Sequence, residues 1–309
     1  RAGGFWSLQR LSLKLGSVSA DGQGEIAPGN LATGQLTVSA GNLDDLSPLV
    51  LTRLSGSLRA AITASVEAGR QRVAIEGDAQ RLVAGAATVN ILRANLRGED
   101  LYGRPTLNGE ATVDRLSFGQ ENVERINFRA AGTAEATDLT LTAQARGFAL
   151  AGNGRFTPGT PHRLDLASFS ATRAGARIAL MQPSTLFIED GGIRTPRLAV
   201  GLQGGEIEVA GKLGATLDAT VAARRVPLAA ADILAPGTGL RGVLEARATL
   251  RGPAARPTGS YEVTLRGLSA PATRNAGLPA LDITGRGALE GERATVDARI
   301  NGGRAIALT

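Results

Sequence analysis

Residues 239–269 read GLRGVLEARATLRGPAARPTGSYEVTLRGLS, and their spacing decides the fold class. Leu240, Leu244, Ala246, Ala248 and Leu250 alternate with Arg241, Glu245, Arg247, Thr249 and Arg251. After Gly252-Pro253 and Arg256-Pro257 the pattern begins again, with Tyr261, Val263 and Leu265 set against Glu262, Thr264 and Arg266. Successive side chains of a strand point to opposite faces, so a period of two writes one apolar face and one polar face. The restart after the prolines adds a further strand to the same sheet.

The same period recurs along the chain. Leu11, Leu13 and Leu15 alternate with Ser12, Lys14 and Gly16; Leu36, Val38 and Ala40 with Gln35, Thr37 and Ser39; Leu139 and Leu141 flank Thr140. Leu198, Val200 and Leu202 precede an expected turn at Gly204-Gly205, and Ile207 and Val209 return from it. A last strand is expected to carry Ala294, Val296, Ala298 and Ile300 on one side. Asp21-Gly22, Gly41-Asn42, Asn153-Gly154, Pro158-Gly159, Asp190-Gly191-Gly192 and Gly302-Gly303 read as hairpin turns.

Two stretches break the alternation and read as short helices, NLDDLSPLVL at 42–51 and VPLAAADILAP at 226–236. Asn42 is the candidate N-cap of the first, with Leu43, Leu46 and Val50 on one side, and each helix is expected to stop near a proline, Pro48 or Pro236. Both are followed by one phrase, Leu54-Ser-Gly56-Ser-Leu58-Arg-Ala60 and Leu240-Arg-Gly242-Val-Leu244-Glu-Ala246. RPTLNGEATVDRLS at 104–117 also aligns without a gap to RPTGSYEVTLRGLS at 256–269. These echoes mark related units around 42–117 and 226–269, each a short helix followed by strands, with room for an inserted hairpin. No shift of composition divides the chain, which reads over 1–309 as one continuous all-β segment: an elongated, curved antiparallel β-sheet with one or two short helices. Strands of ~8 residues would number ~25 and extend about 120 Å.

Composition narrows the function. Hydrophobic residues make up 43% and aromatics only 3%, so the apolar face is aliphatic and lacks bulky anchors. The net charge of +6 is carried by dispersed arginines, Lys occurring only at Lys14 and Lys212. Without stacking aromatics among these basic residues, nucleic acid is disfavoured. The chain has no cysteine, and so no thiolate metal site. His162 is the single histidine, too little for a triad or a multi-histidine metal centre. Asp44-Asp45, Glu99-Asp100 and Glu189-Asp190 read as capping or solvated pairs. There is no nucleophile elbow and no phosphate-binding glycine loop. Neither an enzyme nor a cofactor or metal is expected. No stretch approaches the ~20 apolar residues of a membrane helix. The chain starts without Met and without a signal-peptide pattern, and reads as an internal piece of a longer protein.

The order of phrases P-L-x-x-A-x-x-L-x-P, G-L-x-G-x-L-x-A and L-x-G-x-x-x-x-P at 227–257, preceded by LAVGLQGGEIEVAGKLG at 198–214, resembles the TamB family. This family comprises the large inner-membrane subunits of translocation and assembly modules, within the AsmA-like group. The resemblance is strongest over roughly 170–300. It implies a bacterial envelope protein, periplasmic and anchored in the inner membrane by a segment this chain lacks. It also implies a β-taco groove that carries phospholipid acyl chains, and an outer-membrane barrel partner engaged through other regions. On this reading the groove is lined by Leu11, Leu13, Leu15, Leu36, Val38, Leu139, Leu141, Leu198, Val200, Leu202, Ile207, Val209, Leu240, Leu244, Leu250, Tyr261, Val263, Leu265, Val296 and Ile300. A second reading is a scaffold for outer-membrane protein assembly, in which free strand edges template an incoming strand. A third and more distant reading, a structural solenoid, conflicts with the uneven spacing.

Overall fold

The computed structural model describes residues 5–119, 121–133, 135–189, 191–302 and 305–308. The chain is all-β, and every strand pairing within its two compact units, Arg1–Gly159 and Thr160–Thr309, is antiparallel. The first unit is a meander of β1 (Trp6–Leu15), β2 (Val18–Ala27), β3 (Leu31–Ala40), β4 (Leu54–Glu67), β5 (Arg70–Ala84), β6 (Ala87–Glu99), β7 (Thr106–Phe118), β8 (Glu121–Gly132), β9 (Thr137–Ala145) and β10 (Phe148–Thr157). Each strand pairs with the next in sequence.

The second unit runs from β11 (His162–Arg173) through β12 (Ala176–Leu180), β13 (Ser184–Glu189), β14 (Gly192–Leu202), β15 (Gly205–Gly214) and β16 (Thr216–Pro227). It continues with β17 (Arg241–Pro253), β18 (Thr258–Ser269), β19 (Leu281–Glu290), β20 (Arg293–Ala294), β21 (Asp297–Asn301) and β22 (Ala305–Leu308). β12 and β13 share one position between β11 and β14, because Met181-Gln182-Pro183 interrupts what is otherwise one strand. β20 and β21 likewise share the position beside β19.

Most strands are longer than eight residues, reaching fifteen in β5, and several glycines expected to turn the chain lie inside strands instead. Asp21-Gly22 sits in the middle of β2 and Asn153-Gly154 in the middle of β10. Their glycines occupy the apolar face opposite Leu11 and Leu139, and lack of a side chain there leaves a hollow rather than a bend. Asp190 and Gly303 lie outside the described residues. The expected final strand over 294–301 is broken at Thr295-Val296, and Leu240 precedes β17 rather than belonging to it.

Both helical stretches form. A 3-10 turn, Leu43–Leu46, leads into α1 (Ser47–Val50), and the Asn42 side chain accepts from the Asp44 backbone N–H, as an N-cap should. Pro48 does not end this element. It lies at the start of α1, where the missing N–H has no helical partner to lose. A second 3-10 turn, Leu228–Ala230, leads into α2 (Ala231–Leu234). A further five-residue helix, α3 (Pro271–Asn275), follows β18 and is tied back by Arg274, whose Nη2 donates to the Gly239 carbonyl at 3.1 Å.

The phrases that echo one another in the sequence fall in the following elements. β4 and β17 each follow a helical stretch, and each carries a glycine in the left-handed region two residues in from its start or one, Gly56 (φ +96) and Gly242 (φ +122). At both, one residue faces two on the partner strand: Gly56 opposes Arg81-Leu82, and Gly242 opposes Gly267-Leu268. β7 and β18 carry the second echo. Between β4 and β7 lie β5 and β6, whereas β17 and β18 are adjacent, so a hairpin is inserted in one copy and absent from the other.

Candidate functional site

Antiparallel register places directly opposed residues on the same face, so the pairings can be followed as rows across the sheet. In the first unit one row reads Leu11, Gly22, Leu36, Ile62, Ile75, Leu96, Gly109, Ala130, Leu139, Gly154. The next row along the strands reads Leu13, Ala20, Val38, Ala60, Gly77, Ala94, Ala111, Phe128, Leu141, Gly152. A third begins Leu15, Val18, Ala40, Leu58, Ala79, Leu92, Val113, Ile126. Not one polar residue interrupts them. The rows between them, on the opposite face, carry Ser12, Asp21, Thr37, Glu76, Asn95, Glu110 and Arg129 among others.

The second row is built mostly of small residues. From Ala60 through Gly77, Ala94 and Ala111 it forms the floor of a furrow running across the strands, between Ile62, Ile75 and Leu96 on one side and Leu58, Leu92 and Val113 on the other. The second unit repeats this layout. A row of Leu180, Val200, Ile207, Ala223, Ala246, Val263, Gly285 and Ala298 is flanked by Val226, Leu244, Leu265, Ile283 and Ile300. On its other side lie Leu198, Val209, Val221, Ala248 and Tyr261. The Tyr261 hydroxyl donates to the Thr295 carbonyl at 2.9 Å, which lays the ring over Gly287.

These faces are not closed by packing. Buried apolar residues are mainly alanines and valines, and most aliphatic side chains of the rows stay partly exposed, rising to 45% at Leu13 and Leu141 and 40% at Ile75. In the first unit the apolar face deepens into a recess of about 640 Å³. Its floor is Gly22, Gly24 and Gly34, and its sides are Trp6, Leu8, Leu11, Leu36 and Ile62. A recess of about 580 Å³ on the polar face is bordered by Arg59, Glu76, Asp78 and Arg93 and is solvated.

Of the residues read from the sequence, Leu11, Leu36, Leu139, Leu13, Val38 and Leu141 share the rows of the first unit. Leu15 begins its third row. Leu198, Val209, Val200, Ile207, Val263, Leu244, Leu265, Ile300 and Tyr261 fall in the rows of the second unit. Leu202 pairs with Ile178 and Gly205, and Leu250 with Ala219 and Gly259. Leu240 lies ahead of β17, and Val296 is 63% exposed at the break between β20 and β21.

One end of each apolar face is covered. In the first unit Leu43 is 5% exposed and packs with Val18, Ala40, Leu46, Leu54, Leu58 and Leu82. The Asp45 carboxylate accepts from the Ser17 backbone N–H at 2.6 Å and from its hydroxyl at 2.8 Å, and these bonds hold its pKa below the ordinary carboxylate value. In the second unit Val226, Ala230 and Ile233 are buried, and Arg173 on β11 donates to the Ile233 carbonyl at 2.7 Å. Asp232 accepts from the Thr238 hydroxyl and from the Gly239 N–H, and its pKa is lowered by these bonds.

The polar face carries cross-strand ion pairs. Arg129 meets Glu110 and Arg286 meets Asp297, both at 3.2 Å, and Arg197 and Arg224 share Glu206 and Glu208. The Arg197 hydrogen bond holds the Glu208 pKa down. Among the described residues no group of three or more His, Cys, Asp or Glu stands in a metal-binding arrangement, and no helix is long and apolar enough to cross a membrane. Sequence reasoning missed Gln71, which is 2% exposed although polar. The β3–β4 ladder stops at Gly34 and Ala64, and the Gln71 amide reaches over β4 to bond both the N–H and the carbonyl of Ala32. Thr137 does the same for the Leu107 N–H from β9. No protein-family model, no curated protein and no solved structure matches the chain.

Proposed function

We propose that this chain is a segment of a hydrophobic conduit that carries phospholipid acyl chains along its apolar face, in a protein of the bacterial envelope. The observation that carries the reading is the set of uninterrupted aliphatic rows left half-exposed. Nine inter-strand steps of ~4.8 Å take each row of the first unit about 43 Å, and three rows cover a width of about 20 Å. Such a face exceeds the ~300–600 Å² patch of an ordinary soluble monomer, so it calls for an occupant.

An acyl chain suits it. Half of the ~30 Å hydrocarbon core of a bilayer is one chain length, so about three chains fit end to end along a furrow of this reach. Each methylene removed from water contributes ~0.8 kcal/mol without directional contact. Because adjacent rows offer the same aliphatic surface, a chain gains nearly as much at one step as at the next, and sliding meets no deep minimum. The headgroup stays in solvent beyond the rims. The likeness of residues 198–257 to the TamB family supports a periplasmic setting, phospholipid as cargo and a barrel partner engaged elsewhere in the longer protein.

The test is photocrosslinking in bacterial cells, with a photoreactive residue at Ile62 or Leu141 on the apolar face and at Thr63 or Thr140 on the other. Phospholipid adducts at the first pair and not the second are expected. Equal capture on both faces, or none on the apolar face, overturns the proposal. Polypeptide adducts in place of lipid would turn the reading towards assembly of outer-membrane proteins.

A further inference from the structure

Two helical stretches, 150 residues and more apart, are built alike. Each follows a strand end, each buries an aliphatic side chain, and each carries a carboxylate that accepts two hydrogen bonds, Asp45 from the β1–β2 turn and Asp232 from the loop leaving its own helix, the second stretch being tied to β11 through Arg173. In the first unit these are Leu43, covering Val18, Ala40 and Leu58, and Asp45. In the second they are Ile233, buried as Val226 and Ala230 are, and Asp232. Each also reaches across several strands. The first extends from the β1–β2 turn, where Asp45 grips Ser17, to Leu82 on β5. The second extends from the end of β16 to Arg173 on β11, four strand positions away and about 19 Å along the sheet. The strand after each carries the glycine bulge, Gly56 or Gly242, that lets its neighbour continue at this margin. In the first unit that neighbour supplies Leu82 to the cluster.

From this recurrence we infer that the two straps are the closed side walls of the acyl path, fixing its margin on one side and confining a chain to the furrow and the rows beyond it. The inference rests on the conduit reading above. Its geometric content is a contrast within one strand. Leu58 and Ile62 lie on the same face of β4, four residues apart, but Leu58 packs against the cluster of Val18, Ala40 and Leu43 whereas Ile62 lines the open recess. A chain entering the furrow over Ala60 therefore meets, beyond Leu58, the cluster that Leu43 closes, whereas beyond Ile62 the apolar face continues into the open recess. The turns opposite the straps, such as 28–30 and 67–70, bring no helix over the face, so that margin is the open one.

The experiment uses the unaltered chain with phosphatidylethanolamine–phosphatidylglycerol vesicles containing a phospholipid with a diazirine in its acyl chain. Labelled residues are then mapped by peptide mass spectrometry. Labelling of Ile62, Ile75 and Ala60 at least about tenfold above that of Leu58 and Ala40 is expected. Asp45→Asn and Leu43→Ser, each checked by circular dichroism for retained strand content, should raise labelling at Leu58 and Ala40 towards that of Ile62. Equal labelling of Leu58 and Ile62 in the unaltered chain overturns the side-wall assignment while leaving the conduit standing, as does an unchanged pattern in both variants. No labelling of the apolar face at all overturns both.

Discussion

Gln71→Leu is the substitution whose effect the structure specifies most fully. The Gln71 amide is buried and makes four hydrogen bonds. Oε1 accepts from Ala32 N at 2.6 Å, and Nε2 donates to the carbonyls of Ala32 at 2.9 Å, Ser65 at 3.1 Å and Arg72 at 2.9 Å. Leucine has similar bulk and none of these bonds, and it leaves the Ala32 N–H and carbonyl facing a gap that β4 no longer fills. At a net 0.5–1.5 kcal/mol per bond the four bonds are worth about 2–6 kcal/mol, of which the two to Ala32, about 1–3 kcal/mol, fall on the β3 end. Hydrogen exchange reads such local loss directly. The amide of Ala32 should exchange roughly 5- to 160-fold faster, whereas amides at the Leu36–Ala40 end of β3 should change little. Gln71→Glu keeps an acceptor for the Ala32 N–H but sets a carboxylate against three carbonyl oxygens, and should be no better than leucine. An Ala32 amide that exchanges in Gln71→Leu within twofold of the parent rate would refute the view that this side chain substitutes for a missing strand.

Leu43→Ala removes the centre of the first strap's cluster and should cost about 2–4 kcal/mol of local stability, read as faster protease cleavage near the exposed Val50-Leu51 tip. The Asp45 carboxylate titrates below its unfolded value, so its contribution is complete above pH ~3.9 and is lost as pH falls through the folded value. Strap protection should therefore be equal at pH 7 and pH 5 and decline only below about pH 4, with Asp45→Asn less protected at pH 7 and flatter in acid. Arg197→Ala should lower the urea midpoint only slightly, because its half-exposed guanidinium pairs with Glu206 and Glu208 at the surface and Arg224 still holds both carboxylates, and the difference from the parent should shrink in high salt. Gly34→Ala should destabilise the β2–β3 pair, as Gly34 has φ +144 and an added Cβ would strike the Gln23 carbonyl; loss of exchange protection at Gly24 and Gly34 would report it.

The strands were legible because period-two alternation is a direct imprint of burial on one face, and Leu36, Val38 and Ala40 obey it without exception. The straps were legible too, since NLDDLSPLVL and VPLAAADILAP break that period. What misled was local punctuation. Asp21-Gly22 and Asn153-Gly154 have the composition of turns, but a glycine opposite Leu11 or Leu139 is as much at home inside a strand facing an open groove. Pro48 looked like a helix stop because position within the turn cannot be read until the cap is known. Gln71 and Thr137 could not be foreseen at all. Their partners belong to strands two positions away, and that relation exists only once register is set. The small-residue floor had the same character: Ala60, Gly77, Ala94 and Ala111 are unremarked in four separate strands and become a feature when brought side by side.

The ion pairs of the polar face bear on how so repetitive a sheet assembles correctly. A strand that slipped by two residues would still present aliphatic side chains to the groove, since neighbouring rows are nearly interchangeable, so hydrophobicity alone tolerates the error. The opposite face does not. Displacing β8 by two residues against β7 would move Arg129 from Glu110 and Arg125 from Asp114 at once. The weak charges on the outside thus act as the alignment marks for a surface whose inner side is deliberately monotonous.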